Sequence, residues 1–187
     1  NWLLPIASPD TMATHNSAIK STLFVPLFEY NGTSGTMAWD KKASAAKSYE
    51  FSADGKTISI ALNDLNWADG KPLTSRDVEF WYNLVRFNGE KTGGYSAGMI
   101  PDNITKFETV DDKNFKLTFD KVYNQDFLLA NQLTLVRPMP QHAWDKTSAD
   151  GAVSDLDRDK ASATEVLDYL FKEAGTLSTY ATNPLWS

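Results

Sequence analysis

Catalysis by a positioned histidine would have to use His15 or His142, because these are the only two histidines among 187 residues. A Ser-His-Asp triad also needs an activated nucleophile, and neither histidine has a nucleophile motif nearby, because the G-x-S-x-G match G-Y-S-A-G at 94–98 lies far along the chain from both. We expect His15 to lie in a loop and His142 to begin a helix. A hydrolase that uses two carboxylates stays open, since the chain has 24 acidic residues, but no pair stands out. The sequence favours a protein that is not an enzyme.

The spacing of the residues gives little support for a metal site or a cofactor site. Asp155, Asp157 and Asp159 alternate as at the start of a calcium loop, but such a loop needs glycine at its sixth position and glutamate at its twelfth. This chain has Lys160 and Val166 there. The spacing predicts a solvated acidic turn within an exposed polar connection at 145–160. The chain has no cysteine for a thiolate site and no glycine-rich phosphate loop, so we expect no metal and no cofactor.

The net charge of the chain argues against certain classes of binding partner. The net charge is −6, with a sequence pI near 4.9 and no cluster of basic residues. Nucleic acid and anionic membrane surfaces are therefore poor candidates. The longest mainly apolar run, at residues 23–28, is far too short to cross a bilayer.

Aromatic residues are the best candidates for ligand contact that the composition offers. The chain has 6 Trp, 7 Tyr and 10 Phe, and indole and phenol rings can stack on ligands. Most lie on periodic faces and predict core packing, as do Trp81, Phe87 and Phe115. Three others fall in segments rich in helix and strand breakers and are candidates to line a cleft: Trp2, Tyr95 and Trp186.

The elements that would position these residues are two hairpins interleaved with helices. Apolar residues alternate on both sides of Asp54-Gly55 and again on both sides of the polar turn at 111–114, which predicts hairpins over 49–62 and 107–119. Thr74 and Asp77 resemble a capping box before a helix at 75–88. Further helices are expected at about 17–24, 125–132 and 162–174, a strand at 27–30 and a turn at 31–32. This order favours a mixed α/β fold with a largely antiparallel sheet.

Residues 45–86 resemble the signature of bacterial extracellular solute-binding proteins of family 5, the oligopeptide and dipeptide substrate-binding proteins of ABC transporters. The acidic-glycine hairpin is followed by W-A-D-G-K-P at 67–72 and by T-S-R-D-V at 74–78, which opens the helix. Residues 111–119 resemble the second hairpin of the family. Residues 136–144 are similar to the family's return into its first lobe, in the form found in actinobacterial members. Asn63 departs from the pattern, since many members carry a basic residue there.

The resemblance implies a partial fold of the periplasmic-binding-protein type II kind. It divides the chain into the start of lobe I at 1–27, a small middle domain with two β-hairpins and helix 75–88 at 28–140, and the resumption of lobe I at 141–187. An N-terminal fragment is expected, which would bind peptide poorly alone because the opposing lobe is absent.

The resemblance also implies a function. It points to the substrate-binding component of an ABC importer that captures oligopeptides between two lobes and delivers them to a membrane permease. The protein would be extracytoplasmic, held at the cell surface by a lipid anchor or periplasmic, and monomeric at full length. An oligosaccharide or a metal chelate stays open as the ligand. The segments that match ligand-contacting regions of the family contain these residues: Thr11, Met12, Ala13, Thr14, His15, Tyr95, Ser96 and Ala97.

Overall fold

The described residues form one four-stranded sheet, a separate hairpin and two long helices. The computed structural model describes residues 5–6, 20–33 and 36–173. The elements are β1 (Tyr30–Thr33), β2 (Thr36–Trp39), β3 (Ala46–Phe51), β4 (Thr57–Leu62), α1 (Ser75–Asn88), β5 (Ile104–Thr109), β6 (Asn114–Phe119), α2 (Gln125–Phe127), α3 (Gln141–Trp144) and α4 (Lys160–Glu173). All the paired strands in the described ranges are antiparallel, which confirms the predicted mixed α/β class.

The main sheet has the strand order β3-β4-β6-β5, so both predicted hairpins form and join through their second strands. Tyr49, Ile60 and Phe115 lie opposite one another across three strands and share one face. The alternation therefore buries the apolar residues of β4 and β6 on that face and leaves polar residues on the other. Gly55 turns the first hairpin with a φ of 70°, a conformation that glycine adopts without a steric cost.

Helix α1 packs against β5, where the ring of Tyr82 stacks on Phe107 at 5.5 Å, and it begins where the capping pattern predicts. Asp77 accepts a hydrogen bond from the backbone N–H of Thr74 at 2.8 Å, which is the return half of a capping box. The same carboxylate accepts from Trp67 Nε1 at 3.1 Å and from the backbone N–H of Gln141 at 2.9 Å. Burial is the main cause that raises the pKa of Asp77. This single side chain joins the W-A-D-G-K-P turn, α1 and the start of α3.

The expected strand at 27–30 and the turn at 31–32 were wrong. Leu27 is a connector whose backbone bonds to Val136 and Ala46, and the strand in this part of the chain begins only at Tyr30. Asn31 and Gly32 lie inside β1, because their backbones pair with residues 38 and 37 of β2. The antiparallel partner, which lies later in the chain, decides their conformation.

Residues 125–132 are helical as predicted, but the type of helix changes along the segment. A short α-helical turn at 125–127 widens into a π-helix at Leu128–Gln132 and tightens into a 3₁₀-helix at Leu133–Leu135. Leu128 and Leu133 are fully buried there, while the side chain of Gln132 accepts a hydrogen bond from the backbone N–H of Ile100 at 3.1 Å. These tertiary contacts accompany the irregular winding.

Helix α4 begins two residues before the predicted start. Asp159 caps it, since its carboxylate accepts from the backbone N–H of Ala161 at 2.9 Å. Ser162 instead donates its hydroxyl to the carbonyl of Leu156 at 2.6 Å. In the described part of the chain, none of the helices combines the length and apolar character needed to span a membrane.

Candidate functional site

A cavity of about 220 Å³ lies between helix α1 and the segments that flank it. Its apolar walls come from Ile6, Trp81, Val85 and Ile100, and the loop around Tyr95 closes one side. Trp81 and Val85 are four residues apart, so both lie on the same face of α1. The intervening Tyr82 points elsewhere and donates its hydroxyl to the carbonyl of Ile104 at 3.2 Å. One helix therefore supports the sheet and lines the cavity with adjacent faces.

Tyr95 is held in place at this cavity by its hydroxyl and its ring. The hydroxyl donates to Asp102 Oδ2 at 2.7 Å, and the backbone N–H of Gly98 donates to the same oxygen at 3.0 Å. The ring packs over Gly89, where an added Cβ would lie only 2.6 Å from Cε2 of Tyr95. The hydrogen bond to Asp102 raises the pKa of the Tyr95 phenol. The aromatic ring is thus positioned before any ligand arrives.

The predicted ligand-contacting residues divide into three groups. Tyr95 lines the cavity, whereas Ser96 and Ala97 are exposed beside it and form no part of its wall. Thr11, Met12, Ala13, Thr14 and His15 lie outside the described residues, as do Trp2 and Trp186. Trp81 was predicted to be a core residue and is buried, but it also contributes to the wall of the cavity.

Two cations that the sequence did not single out also line the cavity: Lys20 and Arg137. The guanidinium of Arg137 is anchored because Nη1 donates to the carbonyl of Phe24 at 2.8 Å. Burial, and then the charge of Arg137, lower the pKa of Lys20. Burial likewise lowers the pKa of Arg137, although Glu29 opposes this effect. No local pattern could have identified the pair, because the fold brings the two segments together.

A second cluster of ionisable groups serves a structural role. Carboxylate oxygens of Asp145, Asp155 and Asp157 lie within 4.8 Å of one another, as ligands of a metal ion would. Arg76 fills this space, because its guanidinium donates to both Asp155 and Asp157. Asp157 is fully buried and also accepts from Asn83 at 2.7 Å. The expected solvated acidic turn was therefore wrong, since a distant arginine neutralises it.

Comparison with known proteins identifies a family that matches most of the chain. The family described as bacterial extracellular solute-binding proteins, family 5 Middle, matches residues 42–184. A Brucella ovis protein, named as an ABC transporter peptide-binding protein, is 34% identical over 122 residues. That match covers 65% of this chain and 21% of the Brucella protein. The chain thus spans about a fifth of the length of the curated relatives that it matches.

Solved structures share the same architecture. The ABC transporter substrate binding protein CtaP from Listeria monocytogenes is 26% identical with a TM-score of 0.54, over 79% of this chain and 27% of that protein. The protein AgaA from A. tumefaciens R10, solved in complex with agropinic acid, is also 26% identical, with a TM-score of 0.53. That alignment covers 76% of this chain and 28% of AgaA. These similarities confirm the predicted periplasmic-binding-protein type II fold.

Proposed function

Because the chain belongs to the bacterial extracellular solute-binding proteins of family 5, we propose that it contributes one wall of the ligand cleft in an oligopeptide-binding component of an ABC importer. The Brucella relative, named as a peptide-binding protein, supports this ligand class. The proposed activity is ligand binding without bond chemistry, which the description of the family and the names of the similar proteins support. The protein would act outside the cytoplasm, with a lipid anchor holding it near its permease.

The observation that carries the proposal is the cavity beside Tyr95. It combines a fixed aromatic ring, apolar walls and two cations, which is the mixture that ligand pockets use. Its volume of about 220 Å³ is below the roughly 300–1,000 Å³ of a typical pocket. It therefore suits one residue of a peptide, with the remainder held by other parts of the cleft.

Capture would follow from closure of two lobes around the peptide. A ligand that contacts both lobes binds the closed state more tightly than the open one, and so shifts the population toward closure. Backbone amide groups are the same in every peptide, so contacts with them give broad specificity. Pockets such as the one beside Tyr95 would then determine which side chains of the peptide are preferred.

Calorimetry on the full-length protein tests the proposal. A panel of di-, tri- and pentapeptides is titrated beside an oligosaccharide and a metal chelate, and we expect saturable binding of peptides only. Tyr95→Ala should weaken peptide binding about tenfold, in line with the loss of a well-packed aromatic contact.

Tyr123→Ala provides the matched control. Tyr123 also donates its hydroxyl to an aspartate, Asp120, at 2.8 Å, but it lies outside the cavity. Its removal should leave peptide affinity unchanged. Binding of the oligosaccharide or the chelate without any peptide binding would overturn the proposed ligand class.

A further inference from the structure

The cavity beside Tyr95 is positively charged within a protein that is acidic overall. Lys20 and Arg137 both line it, and the described lining residues include no Asp or Glu. The chain as a whole carries a net charge of −6. The cavity therefore carries a local excess of positive charge although the chain as a whole is acidic.

Neither cation is neutralised by the protein in the described ranges. No ion pair with a carboxylate involves Lys20 or Arg137 there. Glu29 attracts Arg137 electrostatically without forming such a pair. A guanidinium has five N–H donors, and Arg137 uses one of them on the carbonyl of Phe24.

Arg76, by contrast, is a cation with a structural role whose charge is balanced by carboxylates. Arg76 is also partly buried, yet it is surrounded by the carboxylates of Asp145, Asp155 and Asp157. Two partly buried cations that face the same cavity without a carboxylate repel each other and are costly to desolvate. An anion that enters between them would relieve both costs.

We infer that Lys20 and Arg137 form a carboxylate-binding subsite, which takes either the C-terminal carboxylate or an acidic side chain of the bound peptide. This assignment rests on the proposed function of peptide capture. The planar guanidinium matches a carboxylate through two parallel N–H donors, while the lysine ammonium adds a compact charge. The small cavity accommodates one terminal or acidic residue, with the ring of Tyr95 beside it.

The test uses the full-length protein and one pentapeptide in three forms. The first has a free C terminus and one glutamate, the second is amidated at the C terminus, and the third has glutamine in place of the glutamate. Calorimetry should show that one of the two altered peptides binds at least about tenfold more weakly, as expected for loss of a buried charge pair. The altered peptide that loses affinity identifies which carboxylate occupies the subsite.

Variants then locate the effect. Lys20→Gln and Arg137→Gln should each reduce the difference between the carboxylate and neutral peptides, and the double variant should abolish it. Lys121→Gln removes an equal charge outside the cavity and should keep the difference. The wild-type comparison requires no variant to fold, so a structural defect of Arg137→Gln cannot hide the answer.

The two proposals fail in different ways. If wild-type protein binds all three peptides with equal affinity, the carboxylate subsite is wrong while peptide capture stands. If the peptides differ but Lys20→Gln and Arg137→Gln leave the difference intact, these residues are not the subsite. If no peptide binds at all, peptide capture fails, and the subsite fails with it.

Discussion

The guanidinium of Arg76 donates Nη1 to Oδ2 of Asp157 at 2.9 Å and Nη2 to the other oxygen of the same carboxylate. This bidentate ion pair ties helix α1 to the 3₁₀-helix at Leu156–Arg158, which leads directly into α4. Arg76 lies one residue before Asp77, which connects α1 to the W-A-D-G-K-P turn. Adjacent residues at the start of one helix therefore fix two different parts of the chain.

Replacing Arg76 with methionine should destabilise the junction of α1 and α4 strongly. The change leaves Asp157 and Asp145 buried without their cation, and loss of one partner from a buried pair typically costs about 3–5 kcal/mol. Hydrogen–deuterium exchange in the full-length protein measures this effect. We expect the free energy of opening at residues 155–163 to fall by about 3 kcal/mol.

The matched variant is Arg158→Met. Arg158 also forms a bidentate pair, with Glu79, but its side chain is 52% exposed. Exposed pairs contribute about 0–1 kcal/mol, so the same exchange measurement should change by less than that. Equal effects of the two variants would show that burial does not govern the strength of this network.

The stability of the junction should also depend on pH through Asp145. Burial, and then the neighbouring charge of Asp157, raise the pKa of Asp145 to about 7, although Gln141 donates a hydrogen bond to it. In an unfolded chain an aspartate titrates near 3.9, so the folded protein binds the extra proton between about pH 4 and pH 7. The contribution of this proton to stability is full below about pH 4 and is lost as the pH rises through 7.

Asp145→Asn imitates the protonated carboxyl and should remove that dependence. Opening of residues 155–163 should become easier in wild type as the pH rises from 5 to 8, and should change less in the variant. The pH dependence of stability that Asp157 contributes has the opposite sign. Hydrogen bonds and ion pairing from Arg76 outweigh burial and lower the pKa of Asp157. Its contribution is lost only as the pH falls through that lowered pKa, outside this window. Parallel profiles for wild type and Asp145→Asn would contradict the assignment.

The sequence predicted those elements whose signals are local. An Asp-Gly step between alternating runs was sufficient for the hairpin around Gly55, and Thr74 with Asp77 located the start of α1. The buried Asp157 could not be predicted, because its partner Arg76 lies in a different helix and only the fold brings the two together. Lys20 and Arg137 could not be predicted as neighbours for the same reason.

Asn63 shows how a departure from a family pattern can be structural. Its side-chain amide donates to the carbonyls of Lys41, Ser44 and Ala46 at 3.0–3.2 Å. These carbonyls lie along the segment that enters β3. Asparagine supplies the donors without adding a charge at this partly buried position.

Substituting Asn63 by aspartate should therefore destabilise the β3–β4 hairpin. The carboxylate cannot donate and would face three carbonyl oxygens, so we expect a loss of about 2 kcal/mol from unsatisfied acceptors. Hydrogen–deuterium exchange of the backbone amides of β4 measures this loss of stability. Asn31→Ala is the control, because Asn31 is exposed and its side chain bonds only to Asp40 within the described contacts, and it should change stability by less than about 0.5 kcal/mol. A neutral Asn63→Asp would show that the three hydrogen bonds contribute nothing net.

The position of Tyr95 can be tested without removing its ring. Gly89 has a φ of −41°, so alanine fits the backbone there, but its Cβ would lie 2.6 Å from the Tyr95 ring. Gly89→Ala should push the ring aside and break its hydrogen bond to Asp102, which would weaken peptide binding several-fold while the melting temperature changes little. In a Tyr95→Ala background the added methyl group meets no ring, so the same substitution should have no effect on affinity. Calorimetry on the four proteins of this cycle measures the coupling. If Gly89→Ala weakens binding equally in both backgrounds, the ring is not what the substitution displaces, and the role of Tyr95 in the cavity would have to be abandoned.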